Sequence, residues 1–257
     1  MCELFGASSR DPVAVNELLR EFFSHSGRHP NGWGLAVFYG GSVSLEKEPV
    51  SACQSAYLKE RLRHPLEVRS MIAHIRLATV GTMDYENCHP FVRRDSSGRA
   101  WTLAHNGTIF HCPALAPYVH TQEGRTDSER ILCHIVAQVD AAQAAAGRPL
   151  EAGERFALLD RLVCEAAPRN KLNLLVYDSE LLYVHTNYAN SLYVKQTGDT
   201  ALFATVPLDC GDWKPAPFTT LCAYQNGHER YCGACHGSEY IDDPEDMKLI
   251  FVDFAGL

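Results

Sequence analysis

The chain has 257 residues, 46% of them hydrophobic and 21% charged, with a formal net charge of −8. That balance is ordinary for a soluble globular protein, and it excludes a nucleic-acid binder, which needs clustered Lys and Arg against phosphate. No window has the uninterrupted apolar length of a membrane span. The N-terminus passes from Leu4-Phe5 straight to Ser8, Ser9, Arg10 and Asp11, unlike a secretory signal. The expectation is a cytoplasmic protein with no membrane partner, whose ten cysteines are mostly free thiols.

Glu3–Ala7 reads as a short strand directly after Cys2. Val13–Phe23 has apolar residues at helical spacing (Val13, Leu18, Leu19, Phe22, Phe23) and is opened by Asp11-Pro12. Trp33–Tyr39 and Ser42–Glu48 form a hairpin around Gly40-Gly41, and Gln54–Leu62 reads as a helix. Val68–Arg76 is a buried strand with a polar end, and Ala100–His105 is another, halted by the turn dipeptide Asn106-Gly107. Two helices follow, Ser128–Ala146 and Phe156–Ala166, then strands at Leu172–Tyr177, Leu181–Thr186, Leu192–Lys195, Leu202–Thr205 and Phe218–Tyr224. Residues 228–257 read as an appendix: a Cys/His cluster, an acidic run (Glu239–Asp246) and an apolar strand (Lys248–Phe254). The segment 147–153 merely joins two helices, so the reading is one layered domain, residues 2–227, with 228–257 packed on it.

Cys2 follows the initiator Met1. Initiator Met is commonly removed before a small residue, which would leave Cys2 with a free α-amine beside its thiol. A thiol needs a base to become the attacking thiolate. An α-amine has a pKa of roughly 7.7–8.0, so one residue can supply both nucleophile and base. Taken alone, Cys2 is a residue in a frayed tail. It is accompanied by five polar clusters at the ends of strands and turns: Asn31-Gly32-Trp33-Gly34, Ala73-His74-Ile75-Arg76-Leu77-Ala78-Thr79, Asn87-Cys88-His89-Pro90-Phe91, Ala104-His105-Asn106-Gly107 and Thr126-Asp127-Ser128-Glu129. A thiolate attacking an amide carbonyl creates an oxyanion. Asn106 can meet it with its side-chain NH₂ and Gly107 with its backbone N–H, because no side chain blocks approach. Alone, Asn106-Gly107 is more simply a type I′ turn, Arg76 a surface cap on a strand, and Asp127 a helix N-cap.

With Cys2 and in this order, the clusters resemble the class-II glutamine amidotransferase domain, an N-terminal-nucleophile (Ntn) hydrolase. The likeness is greatest to its short stand-alone members and covers roughly residues 2–225. The resemblance implies an α+β fold: a four-layer αββα sandwich with two antiparallel sheets between helical layers. It implies that Cys2 is the nucleophile and that Asn106 and Gly107 form the oxyanion hole. Arg76 would bind the substrate α-carboxylate, Asp127 its α-ammonium, and Thr79 would line the same pocket. His74 and His89 would brace the site rather than act as bases. Asn31 departs from the family, whose stand-alone members usually carry Asp before Gly-Trp-Gly; Asn can hydrogen-bond the terminal amine but cannot neutralise it.

The implied reaction is hydrolysis of glutamine or a γ-glutamyl amide through a γ-glutamyl thioester, releasing ammonia or an amine. Alternatives are a glutaminase subunit feeding ammonia to a separate synthase, and a catalytically silent regulatory or metal-binding relative. The chemistry needs no cofactor. Cys232-Gly233-Ala234-Cys235-His236 matches a c-type haem attachment pattern, but attachment requires export. Structural zinc on Cys222, Cys232, Cys235 and His236 is the better metal reading, against incidental thiols or a redox pair.

Overall fold

The computed structural model describes residues 2–78, 82–244 and 246. The first sheet is seven-stranded, in the order β11-β9-β10-β1-β4-β2-β3. Its strands are β1 (Glu3–Ala14), β2 (Trp33–Tyr39), β3 (Ser42–Glu48), β4 (Glu67–Ile75), β9 (Tyr193–Thr197), β10 (Thr200–Ala204) and β11 (Lys214–Pro215). The second sheet has six strands, in the order β13-β12-β8-β7-β6-β5. These are β5 (Phe91–Arg94), β6 (Ala100–Thr108), β7 (Lys171–Tyr177), β8 (Leu182–His185), β12 (Cys222–Gln225) and β13 (His228–Cys232). Neighbouring strands in both sheets pair antiparallel.

Period-two alternation builds the layers. On β1, Phe5 and Ala7 face outward, where α1 (Asn16–Ser24) covers them with Leu19, Phe22 and Phe23 and α2 (Ala56–Arg61) adds Leu58. Leu4 faces inward, into a core shared with Ala36, Ile72, Ala104, Leu175 and Phe203 from both sheets. On the far side, α3 (Asp127–Ala146) and α4 (Ala152–Ala166) cover Trp101, Leu103, Leu172 and Leu174. The order is helix, sheet, sheet, helix, the four-layer sandwich expected. No helix among the described residues is long and apolar enough to cross a membrane.

Several elements differ from their sequence reading. The apolar spacing from Val13 is not helical at its start: β1 resumes after a register shift, with Val13 opposite Val68 and Ala14 opposite Glu67, and the helix begins only at Asn16. Pro12 falls in the shifted segment, where the ladder does not need its missing N–H. Ser55 accepts a hydrogen bond from Leu58 N at 2.9 Å and caps α2, so this helix starts later than expected. Asn106-Gly107 is not a turn. β7 extends to Lys171 and pairs Asn106 with Asn173 and Gly107 with Leu172, carrying β6 on to Thr108. The hairpin turn in the second sheet is instead Asn226-Gly227, both at positive φ, between β12 and β13. The division at 227/228 therefore cuts a hairpin, and the segment after it begins as an edge strand of the second sheet. The apolar strand expected at Lys248–Phe254 lies outside the described residues.

A buried ion pair ties α4 to the end of β7. Arg155 Nε donates to Asp178 Oδ2 at 2.6 Å, Tyr183 Oη donates to the same oxygen at 2.8 Å, and Arg155 Nη2 donates to Glu180 at 2.6 Å. Removing one partner of such a pair strands the other in the core. Arg155→Met is expected to lower unfolding free energy by about 3–5 kcal/mol in a urea titration; a loss under about 1 kcal/mol would show that the pair does not hold this layer.

Candidate active site

The pairing of Glu3 with Ile75 sets Cys2 beside the chain leaving β4. Leu77 N donates to Cys2 Sγ at 3.4 Å, and Leu77 O lies 3.4 Å from the same sulfur to accept its S–H. Burial pushes the Cys2 thiol up, against the Leu77 backbone hydrogen bond and the Arg76 guanidinium, which favour the thiolate. A thiol in this position needs a base.

Arg76 follows β4 and is buried at 2% exposure. Its backbone N–H donates to Gly32 O at 2.8 Å, and its Nη1 donates to Thr82 O at 2.8 Å. Burial lowers its pKa, opposed by the nearby Cys2, Cys88 and Asp127. Asn31 braces the same turn: its N donates to Arg76 O at 3.0 Å, and its Oδ1 accepts from Ala78 N at 3.0 Å. Asn31 thus shapes the backbone after β4, a role the sequence reading did not assign to it. Thr79 lies outside the described residues.

Asp127 opens α3 without capping it. Thr126 is the N-cap, its hydroxyl accepting from Glu129 N at 3.1 Å. The Asp127 carboxylate accepts from Ile109 N at 2.7 Å and from Ser128 N at 2.9 Å. The first bond ties it to the chain just beyond Gly107. His105 Nε2 donates to Lys171 O at 3.0 Å, which makes its Nδ1 the acceptor from Ser128 Oγ at 2.9 Å. The exit of β6 and the start of α3 are thereby locked together.

Asn106 is buried, and its Oδ1 has no hydrogen-bond partner among the described residues. A Cβ on Gly107 would meet Lys171 O at 1.9 Å and His105 Nε2 at 2.5 Å. Strand packing therefore requires glycine there, whatever the substrate requires. His74 and His89 stack with centroids 4.1 Å apart, and burial lowers both pKa values well below the usual imidazole value. Both rings are therefore neutral at pH 7. A Cβ on Gly34 would meet His89 O at 2.0 Å, so this glycine admits the His89 segment onto β2.

One residue escaped a role in the sequence reading. Asn87 donates to Thr82 O at 3.0 Å and accepts from Arg125 N at 2.7 Å, joining Arg76's partner Thr82 to the segment that leads into Asp127. The signal was its place in the Asn87-Cys88-His89-Pro90-Phe91 cluster. The zinc candidates are not gathered as a set of four. Cys222 and Cys232 are paired as a disulfide across β12 and β13, Cys235 Sγ lies 3.0 Å from Thr219 Oγ1, and His236 Nε2 lies 3.0 Å from His185 Nε2. Among the described residues, the one group spaced for a metal is Cys222, Glu229 and Cys232.

Residues 1–198 match the family model described as class-II glutamine amidotransferases. YafJ of Escherichia coli K12, named as a candidate glutamine amidotransferase, is 30% identical over 192 residues, covering 73% of this chain and 74% of its own. The structure of a candidate glutamine amidotransferase from Pseudomonas aeruginosa superposes with a TM-score of 0.62 at 22% identity, covering 89% of this chain and 99% of its own. Glutamine phosphoribosylpyrophosphate amidotransferase of Bacillus subtilis gives a TM-score of 0.66 at 16% identity over 89% of this chain, which spans 48% of that longer enzyme. The two structures speak for the shared Ntn fold, and the family match speaks for descent. The chain belongs to the class-II glutamine amidotransferase family.

Cys88 is a competing thiol in the same region. Burial pushes it up to about 11, against Arg76 and Lys47. Deprotonation makes the reactive form, so at pH 8 only about one molecule in a thousand carries the Cys88 thiolate. Native protein treated with iodoacetamide at pH 8 is expected to label the exposed Cys53, Cys210 and Cys235 and to spare Cys88. Labelling of Cys88 at a comparable rate by peptide mass mapping would contradict its burial.

Proposed function

We propose that the protein hydrolyses the side-chain amide of glutamine, or of a γ-glutamyl compound, with Cys2 as an N-terminal nucleophile. The observation that carries this reading is that Arg76, just after β4, and Asp127, at the start of α3, both lie within electrostatic reach of the Cys2 sulfur, with Asp127 bound to Ile109 N just beyond Asn106 and Gly107 of β6. Removal of Met1 gives Cys2 a free amine, the base that its buried thiol lacks. The amine takes the thiol proton through a water while sulfur attacks the amide carbon. The oxyanion is met by Asn106 Nδ2 and Gly107 N. Collapse breaks the C–N bond, and the held proton leaves on the amine or ammonia. Water then cleaves the thioester, returning the thiol and releasing glutamate. Arg76 binds the α-carboxylate and Asp127, whose oxygens keep lone pairs beyond their backbone bonds, binds the α-ammonium. A ligand lacking either charge forgoes one of these charge-assisted contacts, which gives selectivity.

A second reading, a glutaminase that passes ammonia to a synthase, draws on the Bacillus subtilis enzyme, whose name is that of an amidotransferase acting with glutamine and phosphoribosylpyrophosphate.

Cys2→Ala is expected to abolish ammonia release from glutamine while leaving the unfolding midpoint unchanged; unaltered turnover would sink the mechanism. Asn106→Ala is expected to lower kcat about 100- to 1,000-fold with little change in KM, because oxyanion contacts act in the transition state. A change confined to KM would remove Asn106 from the oxyanion hole.

A further inference from the structure

By strand alternation, His74 and Asn106 both point into the gap between the sheets. On β4, Ile72 points into the inter-sheet core, so His74, two residues on, points into the same layer. On β6, Ala104 points into that core, and Asn106 follows it by the same spacing. Both side chains are buried, at 0% and 4% exposure. The His105 backbone carbonyl, one residue from Asn106, draws the His74 ring N–H and opposes the desolvation of the ring, yet neither ring nitrogen reaches hydrogen-bond geometry with it.

Both ring nitrogens of His74, both of His89 and Asn106 Oδ1 lack a hydrogen-bond partner among the described residues. A neutral imidazole carries one N–H donor and one acceptor nitrogen. Stacked at 29° between ring planes, the two histidines present their faces to each other and their nitrogens edgewise to other groups, so they do not satisfy each other. Buried polar groups in native folds are paired with protein or with ordered water. On the inner face of β6, Asn106 Oδ1 and, four residues back, Thr102 Oγ1 lack partners; Asn106 Oδ1 is the one next to the His105 backbone that the His74 ring N–H approaches. The amide of Asn106 can serve an oxyanion only with its NH₂ turned to the nucleophile, which requires that its oxygen be held on the inner side.

We infer that His74 is a positioning residue for Asn106: its ring N–H donates to Asn106 Oδ1, directly or through one buried water, and the stacked His89 fixes the ring that does so. The inference rests on Asn106 being the oxyanion donor. It explains why two neutral histidines occupy a core otherwise filled by Leu4, Ile72 and Ala104.

The test is a double-mutant cycle read as kcat and KM for ammonia release from glutamine, with unfolding midpoints measured on every variant. His74→Leu is expected to lower kcat about tenfold or more with KM held within about threefold, and His74→Gln, which keeps a donor, to restore most of that loss. Adding His74→Leu to Asn106→Ala is expected to lower kcat by less than about twofold further, because the group it positions is already gone. Losses that multiply in the double variant, a His74→Leu enzyme with unchanged kcat, or a Gln variant as poor as Leu would each overturn the inference. If His74→Leu does not fold, His74→Asn, too short to span the gap, takes its place with the same outcomes. An Asn106→Ala enzyme with normal kcat would overturn the oxyanion reading and this inference with it. An impaired Asn106→Ala enzyme with an additive cycle would overturn the inference alone.

Discussion

Cys2 is placed by a strand register. Glu3 lies opposite Ile75 and Leu4 opposite His74, so the register continues Cys2 opposite Arg76, and its sulfur meets the Leu77 backbone. A slip of one residue would turn Leu4 out of the shared core and Phe5 into it, exchanging the two faces of the strand. The hydrophobic demand of two cores, one on each face of β1, therefore fixes the position of Cys2 to within a residue. The strand is central, flanked by β4 and β10, and Thr205 N donates to Leu4 O at 3.1 Å on the side away from β4.

The second sheet does the same for the other half of the site. β7 pairs with β6 as far as Thr108, which keeps Asn106 and Gly107 extended rather than turned, and the chain leaving β6 donates from Ile109 N to Asp127. Thr126 satisfies the helix end, so Asp127 is held without being used up as a cap. An Arg and an Asp buried near one another cost desolvation, which protein dipoles and a zwitterionic ligand can offset. Here the Thr82 carbonyl serves the Arg and two backbone N–H groups serve the Asp.

The hairpin of β2 and β3 and the two long helices were readable from turn residues and periodicity, because each signal is local. The failures share one cause. Asn106-Gly107 carries a local turn signal, and only the distant Lys171–Asn173 segment, supplying pairing partners, overrides it. Val13 fits a helical stripe until Val68 claims it for a sheet. Asp127 and Thr126 are both competent caps, and the choice is made by Ile109 N, which takes the carboxylate. Of the site, Cys2, Arg76, Asn106 and Asp127 were legible as a set because a shared order of motifs carries more information than any one of them. Asn87 was quoted without a structural role, and His74 and His89 only as braces, since what each touches depends on which loop or sheet lies opposite.

The central claim is that Cys2 is an activated N-terminal nucleophile in a glutamine-shaped pocket. Intact mass of the purified protein, before and after incubation with diazo-oxo-norleucine, tests it most directly. The account predicts a chain lacking Met1 that gains a single adduct, mapped to Cys2 and suppressed by excess glutamine. A chain that has lost Met1 yet takes no adduct, or takes it at another cysteine with Cys2 untouched, would contradict it.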